Sequence, residues 1–135
     1  MDIEAVMDEM ATALRTIGSL QGRTFAYPPD SVTPPAALVG YPEIDYQQSY
    51  QRGLDILKFP VWVVVSTNTD RAARAALGPY LAGSGSTSVK AAIDGGTYTE
   101  CDVAVVTDGR VTSVRISDIE YLAAEFTVDI YGSGE

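Results

Sequence analysis

The stretch from Gly53 to Ser66 constrains this chain more than any other. Read as an extended backbone, it places Leu57, Phe59, Val61, Val63 and Val65 on one side and Ile56, Trp62 and Val64 on the other. A strand apolar on both sides must be covered on both sides, at least from Val61 onward. Pro60 has no N–H to give to a ladder, so the part before it is expected at a sheet edge or at a bulge. The strand is therefore expected to be two segments with different neighbours.

The surroundings supply helices and further strands. Ile3, Val6, Met7, Met10, Leu14 and Ile17 recur at helical spacing, with Asp2 and Glu4 at the start, Arg15 near the end and Gly18 beyond, which predicts an amphipathic N-terminal helix. A short apolar piece around Phe25–Tyr27 leads into a proline-rich loop over 28–35, where Pro28-Pro29 and Pro34-Pro35 stiffen the path. Ala36 to Gly40 reads as a strand. Asn68 or Thr69 can cap a helix from Asp70 to Leu81, with Ala73, Ala76, Leu77, Tyr80 and Leu81 as its apolar stripe and Pro79 expected to kink or shorten it. The run Gly83-Ser84-Gly85-Ser86 breaks the chain, Ser86 or Thr87 caps a short helix through Val89, Ala92 and Ile93, and Gly95-Gly96 ends it.

The last third is extended. Tyr98–Val106 and Val111–Ile116 are expected to form a hairpin about Asp108-Gly109, a dipeptide that tight turns favour. Leu122, Ala124, Phe126, Val128 and Ile130 alternate against Tyr121, Glu125, Thr127 and Asp129, so a strand is expected there over a helix. Residues 132–135, Gly-Ser-Gly-Glu, are expected to fray. The order of elements predicts one α+β domain over residues 1–135: a mostly antiparallel or mixed sheet with an N-terminal helix and two further helices packed on it.

With 135 residues the chain can bury a real core, and its 46% hydrophobic and 20% charged residues are globular proportions. The net charge of −9 has the wrong sign for neutralising phosphates or docking on anionic lipid. Sequence-specific nucleic-acid binding is not expected, and the acidity reads either as solubility or as a surface that nucleic acid passes without sticking. No apolar run of about 18 residues is present and the first residues are acidic, so the chain is expected neither to span a membrane nor to carry a signal peptide. Cys101 has no second cysteine to pair with and reads as a half-buried small side chain.

Catalytic patterns are missing. The absence of histidine removes the commonest general base and metal ligand and every imidazole-dependent dyad. The glycine-rich segment from Gly83 to Lys90 departs from a phosphate-binding loop, because Lys90 falls inside a helical turn. Glu43 with Asp45, or Glu100 with Asp102, would share a strand face and could hold a hard cation, but no calcium-loop pattern surrounds either pair and a solvated face is the simpler reading. No catalytic residue, metal ligand or cofactor is expected, and the chain reads as a protein that assembles with others.

Between the two strands around Val39 and Val61 lies an arm over 41–52, rich in tyrosine and glutamine and without a continuous apolar face. Tyr41, Tyr46, Tyr50 and Arg52 are residue types enriched in protein interfaces, and Arg71 and Arg74, three apart on a helix, could reach carboxylates on a neighbour. The alternative is an ordinary exposed loop.

Several ordered segments resemble the tail terminator proteins of long-tailed, non-contractile bacteriophages, of the kind found in phages of actinobacteria. They are Gly40-Tyr41-Pro42, Tyr50-Gln51-Arg52-Gly53-Leu54-Asp55, Pro60 to Ser66 followed by Asp70-Arg71-Ala72-Ala73-Arg74, Gly83 to Ile93, and Tyr121 to Tyr131. The proline-rich loop has no counterpart in the resemblance. The resemblance implies a virion protein, assembled in the host cytoplasm, that forms a homo-oligomeric ring, usually a hexamer. Such a ring caps the head-proximal end of the tail tube, ends its polymerisation and meets a head-to-tail connector, while DNA passes through without specific binding. It implies no catalytic residues. Acidic walls would repel passing DNA over the roughly 10 Å screening length. The competing expectations are a stopper or connector of the same neck, a carboxylate- and metal-dependent enzyme, and a non-viral ligand-binding domain.

Overall fold

A computed structural model describes residues 3–21, 23–25, 35–45, 54–66, 71–99, 101, 103–116 and 118–133. The N-terminal helix, α1 (Ile3–Leu14), buries Val6, Met7, Met10 and Leu14 as the spacing predicts. It stops earlier than expected. Thr16 and Ile17 donate to the carbonyls of Ala13 and Leu14, three residues back, so the backbone tightens and a 3-10 turn over Gly18–Leu20 follows. The tightening still delivers Ile17 to the core at 1% exposure.

Strand β1 (Thr24–Phe25) pairs in parallel with β2 (Ala36–Val39), and β2 runs antiparallel to the long β4 (Leu54–Ser66). The short β3 (Glu43–Asp45) also runs antiparallel to β4, alongside its first half. Helices α2 (Arg71–Leu81) and α3 (Val89–Asp94) come next, then β5 (Val103–Ile116) and β6 (Ile119–Ser133). The sheet order is β1-β2-β4-β6-β5, with β3 beside β4, and the fold is a single α+β domain. No described helix is long and apolar enough to cross a membrane.

Pro60 lies inside the sheet, which corrects the expectation of an edge or bulge there. β4 pairs with β6 on one side from Leu54 to Ser66, and its register shift falls between Val64 and Ser66. In an antiparallel ladder the N and C=O of one residue face the same neighbour. The Pro60 carbonyl accepts from Gly40 N at 2.8 Å, so its hydrogen-free nitrogen faces the gap between β2 and β3 and costs no bond to β6. The two halves of β4 do have different neighbours, β3 before Pro60 and β2 after it.

The hairpin expected at Asp108-Gly109 does not form. β5 runs through both residues with a register shift between Val106 and Asp108, and continuous pairing with β6 outweighs the local turn preference. Gly109 serves close packing, since a side chain there would meet the Phe126 ring at 3.2 Å. The turn lies instead between Ile116 and Ile119, where Asp118 takes the left-handed conformation with φ 65°. Gly132 and Ser133 pair with Asp55 and Leu54, which corrects the expected fraying at these two positions; residues 134 and 135 lie outside the described residues.

Smaller differences concern the helices. Ser88, not Ser86 or Thr87, caps α3 by accepting from Ala91 N at 3.1 Å, and its hydroxyl donates to the Ala82 carbonyl, tying α3 to the end of α2. α2 continues past Pro79 to Leu81; Leu77 and Tyr80 are buried, whereas Ala76 is exposed. The expected caps Asn68 and Thr69 and nearly all of the proline loop lie outside the described residues.

Leu57, Phe59, Val61 and Val63 of β4 and Leu122, Ala124, Phe126, Val128 and Ile130 of β6 form the main core with α1, α2 and α3. On the opposite face, Leu38, Val64, Ile116, Tyr121 and Ala123 form a smaller cluster with Phe25, Trp62 and Val114 packed against it. Gly40 marks the closest packing there: a Cβ would sit 2.7 Å from the Trp62 ring and 2.8 Å from Pro60. Gly40→Ala should destabilise the protein by about 1–3 kcal/mol through overpacking. Urea denaturation followed by the fluorescence of the single tryptophan measures it.

Candidate assembly surface

The face of the sheet opposite the helices carries two rows of charge that the strand register builds. Trp62, Glu125 and Arg110 stand opposite one another on β4, β6 and β5. Trp62 Nε1 donates to Glu125 Oε2 at 2.8 Å, and Arg110 Nε donates to Glu125 Oε1 at 2.7 Å, with Arg110 Nη2 on the same oxygen. One carboxylate thus ties three strands together, and the row ends at the β5 edge on a guanidinium that remains 69% exposed.

The second row runs to the other side of the sheet. Asp129, Lys58 and Glu43 occupy matching positions on β6, β4 and β3, and Lys58 Nζ lies 3.4 Å from Asp129 Oδ1. This row ends at β3 on the exposed Glu43 carboxylate. Tyr41, Glu43, Lys58, Pro60, Glu125 and Thr127 line a shallow cleft of about 390 Å³ between the two rows. Tyr41 is 68% exposed at its rim.

The β5 edge is open along only part of its length. Next to its register shift, Val106 N donates to Asp94 Oδ1 at 2.9 Å, and Lys90 Nζ donates to the Val106 carbonyl at 3.3 Å. These α3 side chains occupy the positions of a neighbouring strand, and the Lys90–Asp94 ion pair at 2.6 Å joins them. Beyond this clasp no described strand pairs with the outer side of β5. Val111 is 53% exposed there, and Ile119 is 47% exposed at the hairpin end.

A groove of about 590 Å³ separates α1 from α3, lined by Asp8, Glu9, Thr12, Ala92 and Gly96 among others. The Glu9 carboxylate there accepts from Thr99 N at 2.7 Å and from the Thr99 hydroxyl at 3.0 Å, so it joins α1 to the segment after α3. Tyr98 donates to the Ile93 carbonyl at 2.7 Å. Burial first, and then the negative potential of Cys101, Asp94 and Glu9, push its phenol pKa above the ordinary value. Among the described residues, no group of three or more acidic or cysteine side chains converges as a metal site would require.

Of the expected interface residues, Tyr41 and Arg74 are described with their side chains, and they lie on opposite faces of the sheet. Tyr41 lies on the helix-free side, in the β2–β3 link, whereas Arg74 is exposed on α2, which packs on the opposite face. Arg71 opens α2, and its side chain is outside the described set. Tyr46, Tyr50 and Arg52 lie outside the described residues, as do Glu100 and Asp102. The base of the arm is a strand pair, since Glu43–Asp45 pairs with Ile56–Lys58. Sequence reasoning missed Arg110, Glu125 and the Lys90–Asp94 clasp. Glu125 had a local signal as a carboxylate on the polar side of an alternating run, which it shares with Thr127 and Asp129. Compared with protein-family models and with curated proteins, the chain matches none.

Removing the shared carboxylate with Glu125→Ala leaves Trp62 Nε1 without its acceptor and should cost about 1–3 kcal/mol. Glu125→Gln should cost less, because the amide oxygen still accepts from Trp62; urea denaturation of both variants checks the order. Folding favours the neutral Tyr98 phenol, so its contribution is complete below about pH 10 and is lost as pH rises above that. Stability measured from pH 8 to 11 should therefore fall more steeply for the wild type than for Tyr98→Phe.

Proposed function

We propose that this chain is a structural subunit that closes into a ring, caps the head-proximal end of a phage tail tube and joins tail to head. The observation that carries the assembly half of this reading is the one-sidedness of the sheet. Three helices cover one face, while the other face and the outer half of β5 carry charge rows, exposed Tyr41 and Val111, and no covering helix among the described residues. An edge strand of this length is a template for another chain unless it is covered or charged. The ordered sequence segments that resemble tail terminators supply the other half.

In this reading the partners are further copies of the chain, the tail tube protein and the head-to-tail connector. DNA crosses the ring without specific contacts, in keeping with the net charge of −9. Tyr41, Tyr46, Tyr50 and Arg52 of the arm, with Arg71 and Arg74, contribute to contacts between neighbours. The protein does no catalysis and holds no cofactor, and its place is the neck of the virion.

Negative-stain electron microscopy of the purified protein with tail-tube subunits tests the proposal. The expected result is one ring at a single end of each tube and tubes of arrested length. Rings found only on a portal complex, or tubes that elongate unchanged, would overturn the tail-capping role.

A further inference from the structure

The two charge rows end on opposite edges of the sheet and on the same face, one in a cation and the other in an anion. From these endings we infer that the outer half of β5 in one copy adds to the β3 edge of a second copy, with Arg110 facing Glu43. The inference rests on the ring-forming reading and specifies its contact.

Three observations support it. First, β3 and β5 are both edge strands among the described residues: β3 pairs only with β4, and β5 pairs only with β6. They lie on opposite sides of β4, so joining them is a head-to-tail contact, the kind that generates rings when the rotation closes. Second, the alternation of charge would continue across the junction. Within one copy the order Glu125, Arg110 leads outward to β5, and Asp129, Lys58, Glu43 leads outward to β3. Placing Arg110 beside Glu43 extends each row by an opposite charge, and both side chains are exposed for that purpose. Opposite charges facing each other across a strand pair are stabilising, and like charges there are not.

Third, the clasp restricts where a strand can add. Asp94 and Lys90 occupy the N–H and C=O of Val106, so an incoming strand cannot pair across the register shift and finds the longer open stretch of the β5 edge beyond it. That open part contains Arg110 and the exposed Val111. β3 is only three residues long, a length that fits the shortened edge. The contact also keeps all helices on one side of a sheet shared by successive copies, because Arg110 and Glu43 both belong to the helix-free face.

Cysteine cross-linking tests this contact directly. Glu43→Cys and Arg110→Cys chains, each prepared alone and then mixed under mild oxidation, should give a covalent heterodimer, and the double variant should give a ladder of linked copies on a denaturing gel. The wild type, whose one cysteine is buried, serves as the control. No heterodimer, or a dominant homodimer of either single variant, would overturn the contact, as would a wild type that stays monomeric by light scattering at every concentration tested. Glu43→Gln should weaken assembly roughly fivefold, with the difference shrinking as salt rises. Circular dichroism should show it folded as the wild type is, and unchanged assembly would count against the pairing. Cross-linking without capped tubes would sink the tail reading alone, and capped tubes without the 43–110 cross-link would sink this contact alone.

Discussion

The pairing of β4 with β6 is the constraint on which the rest of the structure depends. The two strands lie antiparallel over the whole length of β4 and place Leu57, Phe59, Val61 and Val63 beside Ile130, Val128, Phe126 and Ala124 on one face. Each helix has its apolar stripe against that surface, and none of the three is long enough to be stable alone in water. Because β6 occupies one side of β4 completely, β2 and β3 must share the other. Their junction falls at Pro60, where the missing N–H faces a gap instead of a ladder.

That arrangement produces a molecule with two unlike faces. The helix side is closed by hydrophobic packing, and the other side combines a smaller apolar cluster with polar links between strands, among them the Glu125 carboxylate shared by Trp62 and Arg110. Surface ion pairs add little stability individually. Their value here lies in position, since each row leaves an unlike charge at a different edge. The clasp from α3 acts in the same sense: by satisfying Val106 it interrupts an edge that would otherwise accept a strand along its whole length. The proposed ring contact depends on both features.

Much of the fold was legible because hydrophobic period is a local property. The N-terminal helix, the two-faced central strand, the helix ending at Leu81 and the alternating strand from Leu122 all follow from spacing. Three of the differences have one cause. Asp108-Gly109 favours a turn, Pro60 an edge and Gly132 a frayed end, and in each case pairing with a distant strand outweighs the local preference. The Ile17 turn differs in kind, since there the chain reached the same buried position by a tighter backbone. The site was less legible still: Tyr41 was visible as an exposed aromatic, but Arg110 and Glu43 matter through registers that link residues far apart in the chain.

The sequence by itself determined that this is an acidic α+β domain with a core strand apolar on both sides and no histidine chemistry, because composition and periodicity depend only on neighbouring residues. Only the tertiary structure decided which strand borders which, that the three described helices all pack on one face, and that Arg110 and Glu43 end opposite edges of the described sheet. The physical reason is that strand register is settled by contacts between distant segments, and a shift of one residue would send every side chain to the other face.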